Sequence, residues 1–148
     1  MTAEEVYVDP SALCRLYLNQ PGLREISDWR QRMSGSLPVT HHGRTEIING
    51  ICRAAFSGQL DEDEMAEALD EVEADFAQGR LHHADLLWRA ALNRAAELSR
   101  THTPRLGTRA LDVLHVACAV ELKLKHFLTF DERQRKLATA AGLRTIKL

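Results

Sequence analysis

The sequence lacks the features that direct a chain to or through a membrane. Residues 1–5 carry two glutamates and no lysine or arginine, whereas a secretion signal begins with a basic segment. The longest apolar stretch, residues 110–122, is interrupted by Asp112, His115 and Glu121, and it is shorter than the roughly 20 apolar residues that span a bilayer. We therefore expect a cytoplasmic protein that makes no membrane contact.

Cysteine is also scarce. The three cysteines, Cys14, Cys52 and Cys118, are far apart in the chain and form no Cys-x-x-Cys pair. An odd, scattered set supports neither a disulfide framework nor a thiolate zinc site. We expect free thiols, buried among their apolar neighbours.

No repeat, low-complexity segment or linker divides the chain, so residues 1–148 are predicted to form a single domain. The net charge of -2 is not that of a general polyanion binder, but the charge is unevenly distributed. Residues 61–75 hold nine carboxylates and no lysine or arginine, while residues 100–148 hold ten lysines or arginines against four acids. The basic third could face a phosphate backbone, or it could be a set of solvated helix faces.

Alternating short apolar runs and amphipathic stretches predict a three-layer α/β/α fold with a central parallel sheet. We expect strands over residues 5–8, 37–40, 81–83, 126–129 and 143–146, with Pro38 weakening the second. We expect helices over residues 10–18, 23–33, 44–57, 62–78, 85–101, 109–123 and 132–141. The sixth helix is predicted to follow an interruption at Pro104 and Gly107 and to be capped by Thr108.

Two acids stand where parallel sheets form their binding sites, beyond the carboxyl ends of strands. Asp9 ends the first predicted strand, and Asp131 follows the fourth. Each could instead cap the helix that begins after it, and the spacing of Asp131 and Gln134 fits such a cap. The two roles are compatible, because a capping aspartate can also hold a metal ion.

Asp112 is the most informative acid. Every side chain from Ala110 to Val120 is apolar except Asp112 and His115, and a helix that is apolar nearly all round is buried. An ionised carboxylate within it must be paired, hydrogen-bonded or bound to a metal ion. Pairing with a nearby arginine such as Arg109 is the alternative to a functional role.

These acids belong to landmarks that resemble, in order and from Val6 to Ile146, those of the PIN-domain nucleases. The landmarks are Asp9-Pro10-Ser11-Ala12-Leu13 with Tyr17, Glu46 at the start of a mid-chain helix, Asp112 with Ala117, and Thr129-Phe130-Asp131. The C-terminal end of VapC-type toxins is especially similar to residues 128–134 followed by Ala140-Ala141-Gly142-Leu143.

The resemblance implies a PIN-like fold and a metal-dependent endoribonuclease that cleaves RNA, pairs with a VapB-type antitoxin and forms a homodimer. Its acidic site would consist of Asp9, Glu46, Asp112 and the more variable Asp131. Ser11 and Thr129 would be hydroxyl partners of the carboxylates or of a metal-bound water. The alternative is a catalytically silent PIN fold that binds protein or RNA; such a chain would usually have lost an acid, and this one has not.

Residue chemistry supports the same site. Clustered carboxylates repel one another unless a cation neutralises them, and a hard ion such as Mg²⁺ or Mn²⁺ suits oxygen ligands. We expect Asp9 and Asp112 to be the principal ligands, Glu46 to orient the attacking water or hold a second ion, and Asp131 to complete the pocket. Arg53, about two helical turns after Glu46, could contact a phosphate, although a surface salt bridge is the simpler interpretation.

Other chemistries fit less well. The pairs His41-His42 and His82-His83 are interpreted as loop or strand-edge residues, because neither has the three- or four-residue spacing of a helical zinc site. A phospho-acceptor receiver domain usually has adjacent acids after its first strand, and here Asp9 stands alone. A haloacid-dehalogenase-type phosphatase has Asp-x-Asp, and here the second position is Ser11.

Overall fold

The computed structural model describes all of residues 1–148. Its elements in chain order are β1 Val6–Val8, α1 Pro10–Leu13, α2 Leu23–Arg32, β2 Leu37–Val39, α3 His41–Phe56, α4 Glu62–Ala77, β3 Leu81–His83, α5 Trp88–Leu106, α6 Ala110–Glu121, β4 His126–Leu128, α7 Glu132–Ala140 and β5 Arg144–Ile146. Single 3₁₀ turns precede β1 and follow α1, at Ala3–Glu5 and Cys14–Leu16. No helix combines the length and the apolar character that a membrane crossing requires.

All five strands run parallel. β4 pairs with β1 on one side and with β5 on the other, and Tyr7 lies opposite Phe127. β2 pairs with β3 and lies beside β1 without ladder hydrogen bonds. The order across the molecule is therefore β3-β2-β1-β4-β5, with the carboxyl ends of all strands at one edge. The predicted parallel α/β fold is confirmed.

The break between β1 and β2 follows from Pro38. The Leu37 N–H donates to the Arg80 carbonyl, and the Val39 carbonyl accepts from Ala84 N–H, both at 2.9 Å, so these groups face β3. Backbone direction alternates along a strand, so the Pro38 nitrogen faces β1, where it has no hydrogen to donate. β2 therefore forms as predicted and pairs with β3, but it makes no ladder hydrogen bonds to β1.

Two apolar cores, one on each face of the sheet, produce the three layers. Along β1, Val6 and Val8 join the core built with α1 to α4, whereas Tyr7 joins the core built with α5 to α7. On the first face Gly50 lets α3 closely approach the 3₁₀ turn that follows α1, since an added Cβ would lie 2.9 Å from the Cys14 sulfur. This close approach places Glu46, one helical turn before Gly50, near the start of α1.

The predicted bounds of the first and fifth helices were wrong, and the third helix begins at His41 instead of residue 44. After Leu13 the first helix tightens into a 3₁₀ turn, in which Tyr17 N–H donates to the Cys14 carbonyl at 3.0 Å; apolar spacing does not distinguish this winding from an α-helix. α5 begins at Trp88 instead of residue 85 and continues through Pro104 to Leu106. Near a helix end Pro104 costs only one backbone hydrogen bond, and Gly107, with φ +67°, ends the helix.

The predicted cap of α6 is wrong, whereas the predicted free cysteines are confirmed. Thr108 does not cap α6, because its hydroxyl pairs with that of Thr103 at 2.9 Å and Arg109 holds the N-cap position without a side-chain hydrogen bond. All three cysteines are free, as predicted, and Cys14 and Cys118 are buried.

Candidate active site

A cleft of about 520 Å³ opens at the carboxyl edge of the sheet. Its lining includes three of the four predicted acids and three basic side chains, namely Asp9, Glu46, Asp112, Arg53, Arg109 and His115. Asp131 lines an adjoining cleft of about 440 Å³ that shares Arg109 and Asp112 with the first. The fold thus gathers acids that are far apart in the chain.

Asp9 is held rigidly. It is buried, directly follows β1 and caps α1, where Pro10 occupies the first helical position. Its Oδ2 accepts from the Ser11 N–H at 3.1 Å and from the Ser11 hydroxyl. Its Oδ1 accepts from Gln134 Nε2 at 2.9 Å. Oδ2 thus accepts two hydrogen bonds and Oδ1 accepts one, so Oδ1 keeps a free lone pair, and capping leaves Asp9 able to bind a cation.

Gln134 is the residue that sequence reasoning undervalued. It is 1% exposed, and its Nε2 donates to Asp9 Oδ1 at 2.9 Å and to the Asp112 backbone carbonyl at 3.2 Å. Its Oε1 accepts from the Thr129 hydroxyl at 2.6 Å. One amide therefore ties α7, β4 and α6 to Asp9. The available signal was its position on the same face of α7 as the buried Leu137 and Ala138.

Thr129 and Asp131 belong to the same hydrogen-bond network as Gln134. The Thr129 hydroxyl accepts from the Asp131 N–H at 3.0 Å, and Asp131 Oδ1 accepts from the Gln134 N–H at 3.0 Å. Asp131 therefore caps α7, one of the two roles that its spacing suggested. Thr129 supports Asp9 indirectly, through Gln134.

Asp112 has no such support. Its half-buried carboxylate makes no hydrogen bond and no ion pair, and the alternative of pairing with Arg109 is wrong. Burial raises the pKa of Asp112, the charges of Asp9 and Asp131 raise it further, and the weaker influence of His115 and Arg109 lowers it only in part. The ionised group therefore has negative neighbours that its positive ones do not fully offset, and it has no ion-pair partner.

Glu46 faces a buried histidine. Its Oε2 lies 2.8 Å from His115 Nε2, and His115 Nδ1 lies 2.6 Å from the Tyr7 hydroxyl. Burial alone would raise the pKa of Glu46, but the hydrogen bond and charge of His115, together with His42, lower it overall. Burial alone would lower the pKa of His115, but the hydrogen bond to Glu46 and the charges of Asp9 and Glu46 raise it overall. Contact with His115 therefore stabilises the ionised form of Glu46.

His42 also reaches Glu46, which the sequence interpretation missed. His41 and His42 begin α3 and do not lie in a loop. His42 Nε2 is 3.1 Å from Glu46 Oε1, four residues later on the same helix face. The four-residue spacing of His42 and Glu46 is present in the sequence, and on a helix it predicts this contact.

Arg53 is exposed, lines the cleft and makes no ion pair. The interpretation of Arg53 as a surface salt bridge is therefore wrong. With Arg109 it gives the acidic cleft two cationic side chains of the kind that contact phosphates.

Comparison with known proteins agrees with this geometry. A family model described as the PIN domain matches residues 6–140. The chain belongs to the PIN-domain family. Ribonuclease VapC47 of Mycobacterium tuberculosis is 27% identical over 133 residues, which cover 86% of this chain and 85% of the relative. The crystal structure of FitAcB from Neisseria gonorrhoeae has a TM-score of 0.65 and 16% identity, covering 96% of each chain, which shows a shared fold.

The acidic cleft of this PIN domain suits a hard divalent cation. Asp9 and Asp112 offer carboxylate oxygens, which Mg²⁺ and Mn²⁺ prefer, and a cation would offset the repulsion that Asp112 meets from Asp9 and Asp131. The ligand atoms that converge most closely belong to a different set, His42, Glu46 and His115, all within 4.8 Å of one another.

Proposed function

We propose that this PIN domain is a metal-dependent endoribonuclease, the toxin of a VapBC-type toxin–antitoxin pair that acts on RNA in the cytoplasm. The observation that carries the proposal is the cleft in which Asp9, Glu46 and Asp112 meet Arg53 and Arg109. Metal-dependent phosphodiester hydrolysis needs negative side chains that bind the cation and positive side chains that bind the phosphate, and this cleft contains both. The similarity to Ribonuclease VapC47 supports the same activity.

Asp9 and Asp112 would hold Mg²⁺ or Mn²⁺ directly or through water. Such an ion lowers the pKa of a bound water and stabilises charge on the phosphate oxygens. Gln134 and Ser11 keep the Asp9 carboxylate in place, so the ligand position does not have to be organised during the reaction.

Glu46 lines the cleft, with Oε2 fixed by His115 and Oε1 beside His42, and it would orient the attacking water. Arg53 and Arg109 would contact the phosphate. The water oxygen forms the new bond to phosphorus, the bond to the leaving ribose oxygen breaks, and that oxygen takes up a proton. Asp131, beside Asp112 in the adjoining cleft, would complete the acidic surface.

The test compares cleavage of a labelled single-stranded RNA by the wild type, by Asp9→Asn and by the control Asp85→Asn, an exposed acid before α5. With Mg²⁺ or Mn²⁺, we expect Asp9→Asn to lose roughly 100-fold or more of the activity and Asp85→Asn to retain it. EDTA should abolish cleavage by all three. Equal rates for Asp9→Asn and the wild type, at equal folded fractions, would exclude the proposed mechanism.

The alternative, a silent PIN fold that binds protein or RNA, predicts binding without cleavage under every metal condition. The same assay therefore separates the two functions, provided that binding is measured alongside.

We also propose a homodimer and a VapB-type antitoxin as partners. Apolar side chains that are largely exposed support additional interfaces, namely Phe56 at the end of α3, Leu87 before α5, and Leu92 on α5. Light scattering of the purified chain, alone and with the product of the adjacent gene, tests both partners. A monomer that forms no complex would exclude them without excluding the nuclease.

A further inference from the structure

Three side chains from two helices converge beside Asp9 and Asp112, the acidic pair of the cleft. His42 and Glu46 lie four residues apart on α3, and His115 comes from the buried part of α6. Glu46 is in the centre, with Oε2 2.8 Å from His115 Nε2 and Oε1 3.1 Å from His42 Nε2. The three ligand atoms all lie within 4.8 Å of one another.

The three ligand atoms are near enough for one ion to reach them all after side-chain rotation. Ligand atoms bound at zinc distances lie roughly 3.3–3.5 Å apart, and the three atoms here lie within 4.8 Å of one another, so the outer ligands would move inward on binding. Two imidazoles and one carboxylate form a donor set that zinc accepts, with a fourth position left for water. Imidazole nitrogen favours Zn²⁺, Co²⁺ or Ni²⁺ over Mg²⁺, so the set differs in chemistry from the oxygen donors of Asp9 and Asp112.

His115 has the surroundings of a metal ligand. It is 2% exposed, and the Tyr7 hydroxyl, also buried, lies 2.6 Å from Nδ1. In metal sites the second ring nitrogen usually hydrogen-bonds to a neighbour that fixes the ring orientation. Tyr7 fixes His115 so that Nε2 points at Glu46.

His42 supplies a second observation. Its Nε2 is shielded from solvent, and the contact with Glu46 Oε1 is not aligned as a hydrogen bond, so this nitrogen has no hydrogen-bond partner. A buried polar atom without a partner is costly and uncommon. An ion bound at Nε2 would remove that cost.

We propose that His42, Glu46 and His115 bind a transition-metal ion, with Zn²⁺ the preferred ion, and that this ion inhibits the nuclease by holding Glu46. The inhibitory part rests on the proposed function, since it requires Glu46 to work in the acidic cleft. The binding part does not, because it rests on the geometry of the three ligands.

Binding is tested on the full chain after treatment with a chelator and its removal. We expect one equivalent of Co²⁺ to give the visible absorption bands of a tetrahedral site and Zn²⁺ to displace it. His42→Gln should weaken Zn²⁺ binding at least about tenfold, as measured by calorimetry, whereas His102→Gln, a histidine on α5 outside the cluster, should not. Tyr7→Phe should also weaken it, by about tenfold, because the ring loses its fixed orientation.

Asp9→Asn and Asp112→Asn distinguish this site from the acidic pair. Both variants should still bind one Zn²⁺ with unchanged cobalt bands. Zinc affinity that survives in His42→Gln, or that is lost in Asp112→Asn, would overturn the proposed site.

Inhibition is tested as the ratio of Mn²⁺-supported cleavage rates with and without one equivalent of Zn²⁺. The wild type should be inhibited, and His42→Gln should give a ratio closer to one. Zn²⁺ that binds but leaves the wild-type rate unchanged would overturn the inhibitory part. A chain that binds Zn²⁺ and never cleaves RNA would instead exclude the proposed nuclease while leaving the binding site supported.

Discussion

Asp9 and Asp112 line the same cleft but are held in opposite ways. Asp9 is buried, and both its oxygens accept hydrogen bonds, from Ser11 and Gln134. Asp112 is half-exposed, has no partner, and has a pKa raised by burial, by Asp9 and by Asp131. Asp9 is therefore part of the framework, whereas Asp112 carries a charge that its neighbours His115 and Arg109 offset only in part. In a cation site the first fixes the position and the second supplies the attraction.

Replacing Gln134, which fixes Asp9, should lower the free energy of unfolding more than any of the other substitutions below. Gln134→Leu fills similar space but leaves Asp9 Oδ1 and the Thr129 hydroxyl without their buried partner. We expect the free energy of unfolding to fall by about 2–4 kcal/mol, since a hydrogen bond to a buried charge is among those lost. Urea denaturation measures it, with Gln134→Glu as a second variant that places a like charge against Asp9. A loss below about 0.5 kcal/mol would mean that Asp9 is not fixed by this amide.

Asp9→Asn should destabilise the metal-free protein by about 1–2 kcal/mol. The amide loses the charge in its hydrogen bonds and sets an N–H against either Gln134 Nε2 or the Ser11 donors. Thermal denaturation in EDTA, with Asp85→Asn as control, measures this loss. An unchanged midpoint would show that the charge of Asp9 is unimportant to the fold.

Asp131→Ala should cost about 1 kcal/mol, because α7 loses the side-chain cap on Gln134 N–H. The effect should be independent of metal if Asp131 is a cap alone. A smaller stabilisation by Mn²⁺ in this variant, compared with the wild type, would instead assign it a part in cation binding.

Asp112→Asn is expected to have the smallest effect on folding and the opposite sign. Removing a half-exposed charge that lies among other acids should raise the stability of the metal-free protein by less than about 1 kcal/mol. The same change should abolish the stabilisation that Mn²⁺ gives the wild type, about 2.7 kcal/mol at 100 times the dissociation constant. Equal destabilisation by Asp112→Asn and Asp9→Asn would remove the distinction between the two acids.

The sequence predicted the acids better than their supports. Asp9 and Asp131 follow strands and Asp112 interrupts an apolar helix, and these are local patterns that one chain displays. In the sequence Gln134 resembles an ordinary capping partner of Asp131. Its contact with Asp9 is not visible there, because the two residues are 125 positions apart. His42 was judged only against the adjacent His41, and His115, the third member of its cluster, lies on α6, so the group of three is visible only in the tertiary structure.

Local chemistry therefore determined the order of strands and helices, the free thiols, the caps at Asp9 and Asp131, and the family resemblance, since each depends on residues near one another in the chain. The tertiary structure decided which groups meet. It carried α5 through Pro104 to Leu106, left β1 and β2 without ladder hydrogen bonds, and set His115 of α6 against Glu46 of α3. Such contacts join residues far apart in the chain, and a hydrophobic pattern specifies which face of a helix is buried but not what that face touches.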